Sequence, residues 1–318
     1  MIAKIKIGKK IKPEQDPAVR LGKITGGNAS SFLGLNGFQS ANEACDLFWG
    51  KIPQPDLTQN RFVQAGMWSE EMIGKRFAEV MNLKIRFVNR TYVSKDWPIA
   101  QGHIDGKIQG QNVGLEIKTA SEFKKKEYSE HLDPNPKIPI QYRCQINHYL
   151  YLTHWDYWWL AVLIGGNDFR VFKIERDENA IQEQVRLLKE FHKTYLLPGL
   201  SPPARTPDEA LYIFPSADPL EKSIDASPLF LNLLAEAKDI AEEEKILKMR
   251  KLKNETDMKN LMEDVTYITD PNSRDRLAQW KNGSSTRLDQ KALRNDMPEL
   301  WHNDKYVSKS TYRTFKIL

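Results

Sequence analysis

Asp105, Glu116 and Lys118 are the residues whose types and spacing could do chemistry. They sit in Gly102-His103-Ile104-Asp105-Gly106-Lys107-Ile108 and Val113-Gly114-Leu115-Glu116-Ile117-Lys118, two alternating arms separated by Gln109-Gly110-Gln111-Asn112. That pattern predicts a β-hairpin. With Gly110-Gln111 as a two-residue loop, Asp105 falls directly opposite Glu116, their Cβ atoms about 5 Å apart on one face. Period-two alternation puts Lys118 on the face of Glu116 and sends Leu115 and Ile117 into a core. Two carboxylates this close repel unless a cation lies between them, and hard divalent metals are held by such oxygens with water completing the shell. A lysine beside that water would orient it and offset charge developing on a phosphate, which suits metal-assisted phosphodiester hydrolysis. A solvated strand face with a cross-strand ion pair explains the same three residues, because short D…ExK matches arise by chance.

Several elements must position such a centre. Thr25-Gly26-Gly27-Asn28-Ala29-Ser30-Ser31-Phe32 opens a short helix, whose N-terminal amides, with Arg20 nearby, could take a phosphate; plain helix capping accounts for the same residues. Ser40-Ala41-Asn42-Glu43 is a capping box for a helix to about Trp49, stopped by Gly50 through Pro55. The next helix, Phe62 to Met81, carries Phe62, Gly66, Ile73, Phe77, Val80 and Met81 on one stripe. Glu70 lies inside it, where a carboxylate must be paired, bound to metal or neutralised, unless it reaches solvent at the helix edge. Residues 84–92 read as one strand. The run Phe123-Lys124-Lys125-Lys126-Glu127 is either a solvated face or a holder of backbone phosphate. Helix 140–153 shows Tyr142, Ile146, Tyr149, Leu150 and Thr153 on one stripe, with Gln145 at its edge between two tyrosines.

Residues 155–164 and 169–174 form a second hairpin, its aromatics fitting a buried strand better than base stacking. Asp177 caps a helix reaching Tyr195, and Pro198-Gly199 ends it. The expected domain covers residues 1–200, with a Pro-, Ser- and Asp-rich linker at 201–226. Beyond it, residues 228–265 read as a long charged helical arm, either a coiled coil or an arm lying on the first domain. A small α/β module follows, ending in a strand at 312–317. Its Lys281, Arg287, Lys291, Arg294, Lys309 and Arg313 suit nucleic acid or a solvated basic surface.

The 318 residues suffice for two domains and a substantial core. Lys+Arg 47 against Asp+Glu 42 gives only +5, which excludes a polybasic coat while leaving room for local basic patches. The sequence shows neither a run of about 18 apolar residues nor a signal-type hydrophobic block, so a soluble, cytosolic protein with no membrane partner is expected. Cys45 and Cys144 are the 2 cysteines, too few for a disulfide framework or a four-cysteine metal site, and read as small buried apolar residues.

In order along the chain, Glu70, Asp105, Glu116-Ile117-Lys118 and Tyr142-Arg143-Cys144-Gln145 resemble the PD-(D/E)xK nuclease core. More closely they resemble the lambda exonuclease and YqaJ-like viral recombinase family. The likeness extends from Arg20-Leu21-Gly22-Lys23-Ile24-Thr25 through Gly66-Met67-Trp68-Ser69-Glu70 to Lys173-Ile174-Glu175-Arg176-Asp177. It implies an α/β (α+β) fold of restriction-endonuclease type, a mixed β-sheet flanked by helices. It further implies that Asp105, Glu116 and the Ile117 carbonyl bind Mg²⁺, with Mn²⁺ able to substitute. Lys118 would position the attacking water, Glu70 would hold a second metal or its water, and Gln145 would steady the nucleophile or Lys118.

Members of that family degrade linear double-stranded DNA from a 5′ end, often as ring-shaped trimers, beside a single-strand annealing protein in phage recombination. A structure-specific endonuclease and a non-catalytic DNA-end-binding module are the alternatives on the same core. The candidate DNA contacts are Arg20, Thr25, Asn28, Ser30, His103, Lys124 and Tyr142. Two positions depart from the family pattern: Gly27 stands where it keeps a serine, and His103-Ile104-Asp105 where it often has Ser-Pro-Asp. Both serines belong to a pocket for the terminal 5′-phosphate, whose basic contact corresponds to Lys124. Arg20, Asn28 and His103 would then recognise an end in another way.

Overall fold

The structure is a computed structural model. It describes residues 21–317 except Thr58, Asn89, Asp218, Glu221, Lys222, His302, Asp304 and residues 309–312, so Arg20 and Lys309 lie outside the described residues. The chain divides between Ile213 and Phe214 into two units.

In the first unit, α1 (Gly26–Phe32), α2 (Ala41–Trp49) and α3 (Arg61–Met81) precede the strands. Ser40 accepts the Glu43 amide at 3.1 Å to start α2, and Gly50 ends it at φ 70°, a left-handed value that suits glycine. Asn60 caps α3 through the amides of Phe62 and Val63. Then come β1 (Ile85–Phe87), β2 (Thr91–Val93), β3 (Gln101–His103), β4 (Gly106–Ile108), β5 (Val113–Ala120), a 3₁₀ turn at Glu122–Glu127, α4 (Ile140–Thr153), β6 (Tyr157–Ile164), β7 (Asp168–Glu175), α5 (Glu178–Phe191) and α6 (Pro207–Ile213).

A mixed five-stranded sheet runs β1-β4-β5-β6-β7, with β5 and β6 parallel and the other neighbours antiparallel. The link from β5 to β6 carries α4, as a parallel pair requires a crossover. Strand β6 alternates two kinds of burial. Trp158, Leu160, Val162 and Ile164 pack with Ile146, Tyr149 and Leu150 of α4, while Trp159 and Ala161 join Leu115 and Ile117 against Ile73 and Phe77 of α3. The sheet is therefore sandwiched between helices. A third cluster binds α1, α2, α4 and α5 through Ile24, Phe32, Cys45, Cys144, Leu188 and Phe191. Both cysteines are free and buried, and desolvation pushes each thiol up to about 12, so neither is a nucleophile at neutral pH.

Several expectations need correction. The strand at 84–92 is two strands, because β1 pairs with β4 whereas β2 pairs with β3. The arm 102–108 likewise breaks at Ile104-Asp105, where the Asp105 carbonyl accepts the Val88 amide and its carboxylate turns to a β5 amide. The hairpin register is the expected one, Gly106↔Leu115 and Lys107↔Gly114. Its connection, however, spans residues 109–112, with Gln111 N–H bonded to the Ile108 carbonyl and Gly110 at φ 75°. In α3 the inward residues are Ile73, Gly74 and Phe77, while Phe62 is 74% exposed and Val80 also faces solvent. Residues 201–213 pack within the first unit: Tyr212 donates to Asp46 at 2.8 Å and Arg205 to the Leu33 carbonyl at 2.9 Å.

The second unit contains α7 (Pro228–Met262), the two-stranded pair β8 (Tyr267–Thr269) and β9 (Arg276–Gln279), and the short helices α8 (Gln290–Asp296) and α9 (Pro298–Trp301). Ser227 caps α7 through the Phe230 amide. Of the expected strand at 312–317, Tyr312 lies outside the described residues, and 313–317 form no strand. Among the described residues no helix is long and apolar enough to cross a membrane.

One close contact sets the tolerance of the sheet. A Cβ on Gly114 would lie 2.2 Å from the fully buried Trp158 ring. Gly114→Ala is expected to cost about 2 kcal/mol or more by overpacking. Urea melts check this, and wild-type stability would contradict the contact.

Candidate active site

Extending the β4–β5 register by one residue sets Asp105 opposite Glu116, as Gly106 faces Leu115. Asp105 Oδ2 accepts the Ile117 amide at 2.8 Å, tying the carboxylate to the strand that carries the other two residues. Glu116 is only 2% exposed and its Oε1 meets two donors: Lys118 Nζ at 2.6 Å and Gln145 Nε2 at 2.8 Å. Gln145 Nε2 also lies 2.8 Å from Tyr149 Oη, so the glutamine bridges a buried carboxylate and a buried tyrosine. Burial opposes the Lys118 charge, but the Glu116 and Asp105 carboxylates outweigh it and raise its pKa above the usual lysine range. Lys118 also lies 5.2 Å from the Tyr142 ring centroid, within cation–π range.

Helix α4 is seated by missing side chains. A Cβ on Gly26 would come 2.7 Å from Tyr149 Cε1 and 3.0 Å from Gln145 Cγ, and one on Gly102 would come 2.8 Å from Tyr149. Gly26 therefore admits the ring that backs Gln145, a role distinct from the phosphate approach suggested by the sequence. The entry to α1 is pinned where Ile24 exchanges backbone bonds with Ile99 and Gln101.

Glu70, Asp105, Glu116, Ile117, Lys118, Gln145, Tyr142 and Lys124 all line one cleft of about 810 Å³. Glu70 arrives on α3, which packs on the Leu115 and Ile117 face of the sheet rather than the Glu116 face. Among the described residues no three His, Cys, Asp or Glu side chains cluster as a metal cage, so Glu70 does not complete a three-carboxylate set. The donors that remain, two carboxylates and the Ile117 carbonyl, are hard oxygens. They fit a divalent cation that keeps several waters.

Of the other expected DNA contacts, Thr25, Asn28, Ser30 and His103 fall outside the cleft lining. Asn28 is committed to its own helix, accepting the Thr25 amide at 2.7 Å and donating to the Lys23 carbonyl at 3.0 Å. Ser30 is buried, and His103 is buried with Nε2 2.9 Å from Thr91 Oγ1. On the rim, Lys124 pairs with Glu127, and Ser121 caps the 3₁₀ turn that presents it. Sequence reading missed Phe38 among the lining residues and counted the lining residue Phe62 as core; both are large exposed aromatics, and periodicity offers no signal for exposure of that kind.

Buried beside this site on α4, His148 is 1% exposed and its Nε2 lies 3.0 Å from the Gln101 carbonyl, a bond that places the proton on Nε2. Desolvation pulls its pKa down to about 4. The unfolded chain then binds more protons than the native one between about pH 6.5 and 4. Stability should fall through that window as pH drops, by about 3 kcal/mol, and His148→Gln should remove most of that dependence in denaturant melts.

The family model for the YqaJ-like viral recombinase domain matches residues 17–156. The chain is 27% identical over 299 residues to the YqaJ protein of Bacillus subtilis (strain 168), covering 92% of this chain and 90% of that one. Among solved structures, it resembles the alkaline exonuclease LHK-Exo from Laribacter hongkongensis at 16% identity and TM-score 0.44, covering 57% of this chain and 91% of that one. It also resembles a phage-related exonuclease from Haemophilus somnus 129PT at 12% identity and TM-score 0.37, over 55% and 96% of the two chains. Residues 17–156 are thus similar to the YqaJ-like viral recombinase domain.

Proposed function

We propose that this protein is a divalent-metal-dependent DNA exonuclease that degrades linear double-stranded DNA, 5′ to 3′, in phage-type recombination. The observation that carries the reading is the convergence of Asp105, Glu116, Lys118 and Gln145 in one cleft. The recombinase-domain match supports a recombination nuclease; the 5′-to-3′ polarity, a ring-forming homo-oligomer and a single-strand annealing partner belong to the proposal through the resemblance carried by the motifs.

In this reading Asp105, Glu116 and the Ile117 carbonyl hold Mg²⁺, or Mn²⁺ in its place. The cation, when bound, neutralises charge on the scissile phosphate and acidifies water. The chain's own residues supply the rest. Lys118, 2.6 Å from Glu116, orients the attacking water and stabilises charge gathering on the phosphate. Gln145 holds Glu116 in one orientation, and Tyr149 holds Gln145. Glu70 orients water from the opposite wall, while Lys124 and Tyr142 contact the DNA backbone at the rim.

Glu116→Ala and Lys118→Ala should each slow nucleotide release from 5′-labelled linear duplex by about 100-fold or more, and EDTA should abolish release by wild type. Closed-circular DNA should persist. An inactive wild type, variants equal to it, or consumption of the circle would contradict the proposal.

A further inference from the structure

The sheet edge carries a second concavity, separate from the cleft lining. Arg86, Arg90, Lys107, Tyr92, Trp155 and Asn112 line a pocket of about 410 Å³, and no acidic residue lines it. Strand β1 is an edge of the sheet, and its register sets Arg86 directly across from Lys107 of β4. Like charges in that position repel. Among the described residues neither of them, nor Arg90, has an ion-pair partner. A folded chain that keeps two cations side by side on a partly exposed edge is arranged for an anion from outside.

The pocket also has an aromatic wall. Tyr92 and Trp155 meet edge to face at 5.8 Å, and Trp155 stacks on the buried Trp158 at 5.5 Å with 21° between ring planes, which fixes the wall in the core. The cations already sit over these rings: Arg90 Cζ is 4.3 Å from the Tyr92 centroid and Lys107 Nζ 5.4 Å from that of Trp155. Paired cations beside aromatic rings are the elements of single-strand recognition, phosphate on the cations and base or sugar on the rings. The volume suits one nucleotide and not a duplex. Lys107 stands two residues beyond Asp105 in the same hairpin, so the pocket lies along the strand from the candidate centre.

We propose that this pocket is a nucleotide subsite for single-stranded DNA, with Arg86 and Lys107 clamping a phosphate and Tyr92 and Trp155 contacting the base. The identity of the ligand rests on the DNA-exonuclease reading. The subsite would hold the strand exposed as its complement is consumed, keeping the enzyme at the junction.

The test uses the full chain in EDTA with a fluorescein-labelled oligothymidylate of about twenty nucleotides, followed by fluorescence anisotropy. Arg86→Gln/Lys107→Gln should weaken binding about tenfold and lower the slope of log K against log salt by about 0.7, the single-strand value for one neutralised phosphate. Affinity for a blunt duplex should change little. Because the substitution removes a like-charge pair, its Tm should equal or exceed that of wild type, an outcome a structural role for these cations would not give. Arg86→Gln alone should give about half the slope change. Unaltered oligothymidylate binding, or an equal loss on duplex, would overturn the subsite even if wild type degrades DNA. Weakened single-strand binding in a protein that cleaves nothing would uphold the subsite while the nuclease reading fell.

Discussion

Mutual repulsion between Asp105 and Glu116 is the constraint on which the rest of the structure depends. Strand register makes it unavoidable: Gly106↔Leu115 and Lys107↔Gly114 leave the next pair facing each other. A one-residue slip would send Leu115 and Ile117 to the outer face and Glu116 into the apolar layer beneath α3, so burial holds the register that creates the repulsion. Lys118 answers part of it, sitting 2.6 Å from Glu116 and feeling the charge of both carboxylates. A single ammonium against two carboxylates leaves the group anionic, which is the electrostatic basis for a cation there.

The surrounding fold reads as a mounting for that group. Helix α4 brings Gln145 to Glu116 and Tyr149 behind Gln145, and the missing side chains at Gly26 and Gly102 let the tyrosine ring seat between α1 and β3. Strand β6, apolar on both faces, anchors β5 between two helical layers. Glu116 therefore sits on a buried stretch of β5, with the half-buried Asp105 beside it, where little reorganisation is available to relieve them. That is the preorganisation expected of a charge-stabilising site.

Much of this was legible in sequence, for physical reasons that differ by element. The Asp105–Glu116 register followed from alternation and a turn centred on Gly110-Gln111, even though the connecting loop proved longer than two residues, because adding one residue to each side preserves pairing. Helix α4 was legible from its one-sided stripe, and the β6–β7 hairpin from its aromatic and β-branched run. Glu70 lines the cleft, yet its approach from the opposite sheet face depends on tertiary packing that no local pattern encodes. Asn28, Ser30 and His103 were read as candidate DNA contacts; Asn28 is bonded to the backbone at its own helix start, as short polar side chains there tend to be, while Ser30 and His103 are buried, which local sequence does not reveal. The edge pocket was invisible because Arg86 and Lys107 are 21 positions apart in sequence and meet only through strand pairing.

The central claim is that the Asp105–Glu116 pair is a cation site, and metal-linked stability tests it most directly. Thermal unfolding of wild type should shift upward with increasing Mg²⁺, as binding to the native state alone requires. Asp105→Asn, which keeps shape while removing one charge, should start from equal or higher Tm without metal and lose most of the shift. A Tm indifferent to Mg²⁺ in wild type, or the same shift in both proteins, would contradict the account.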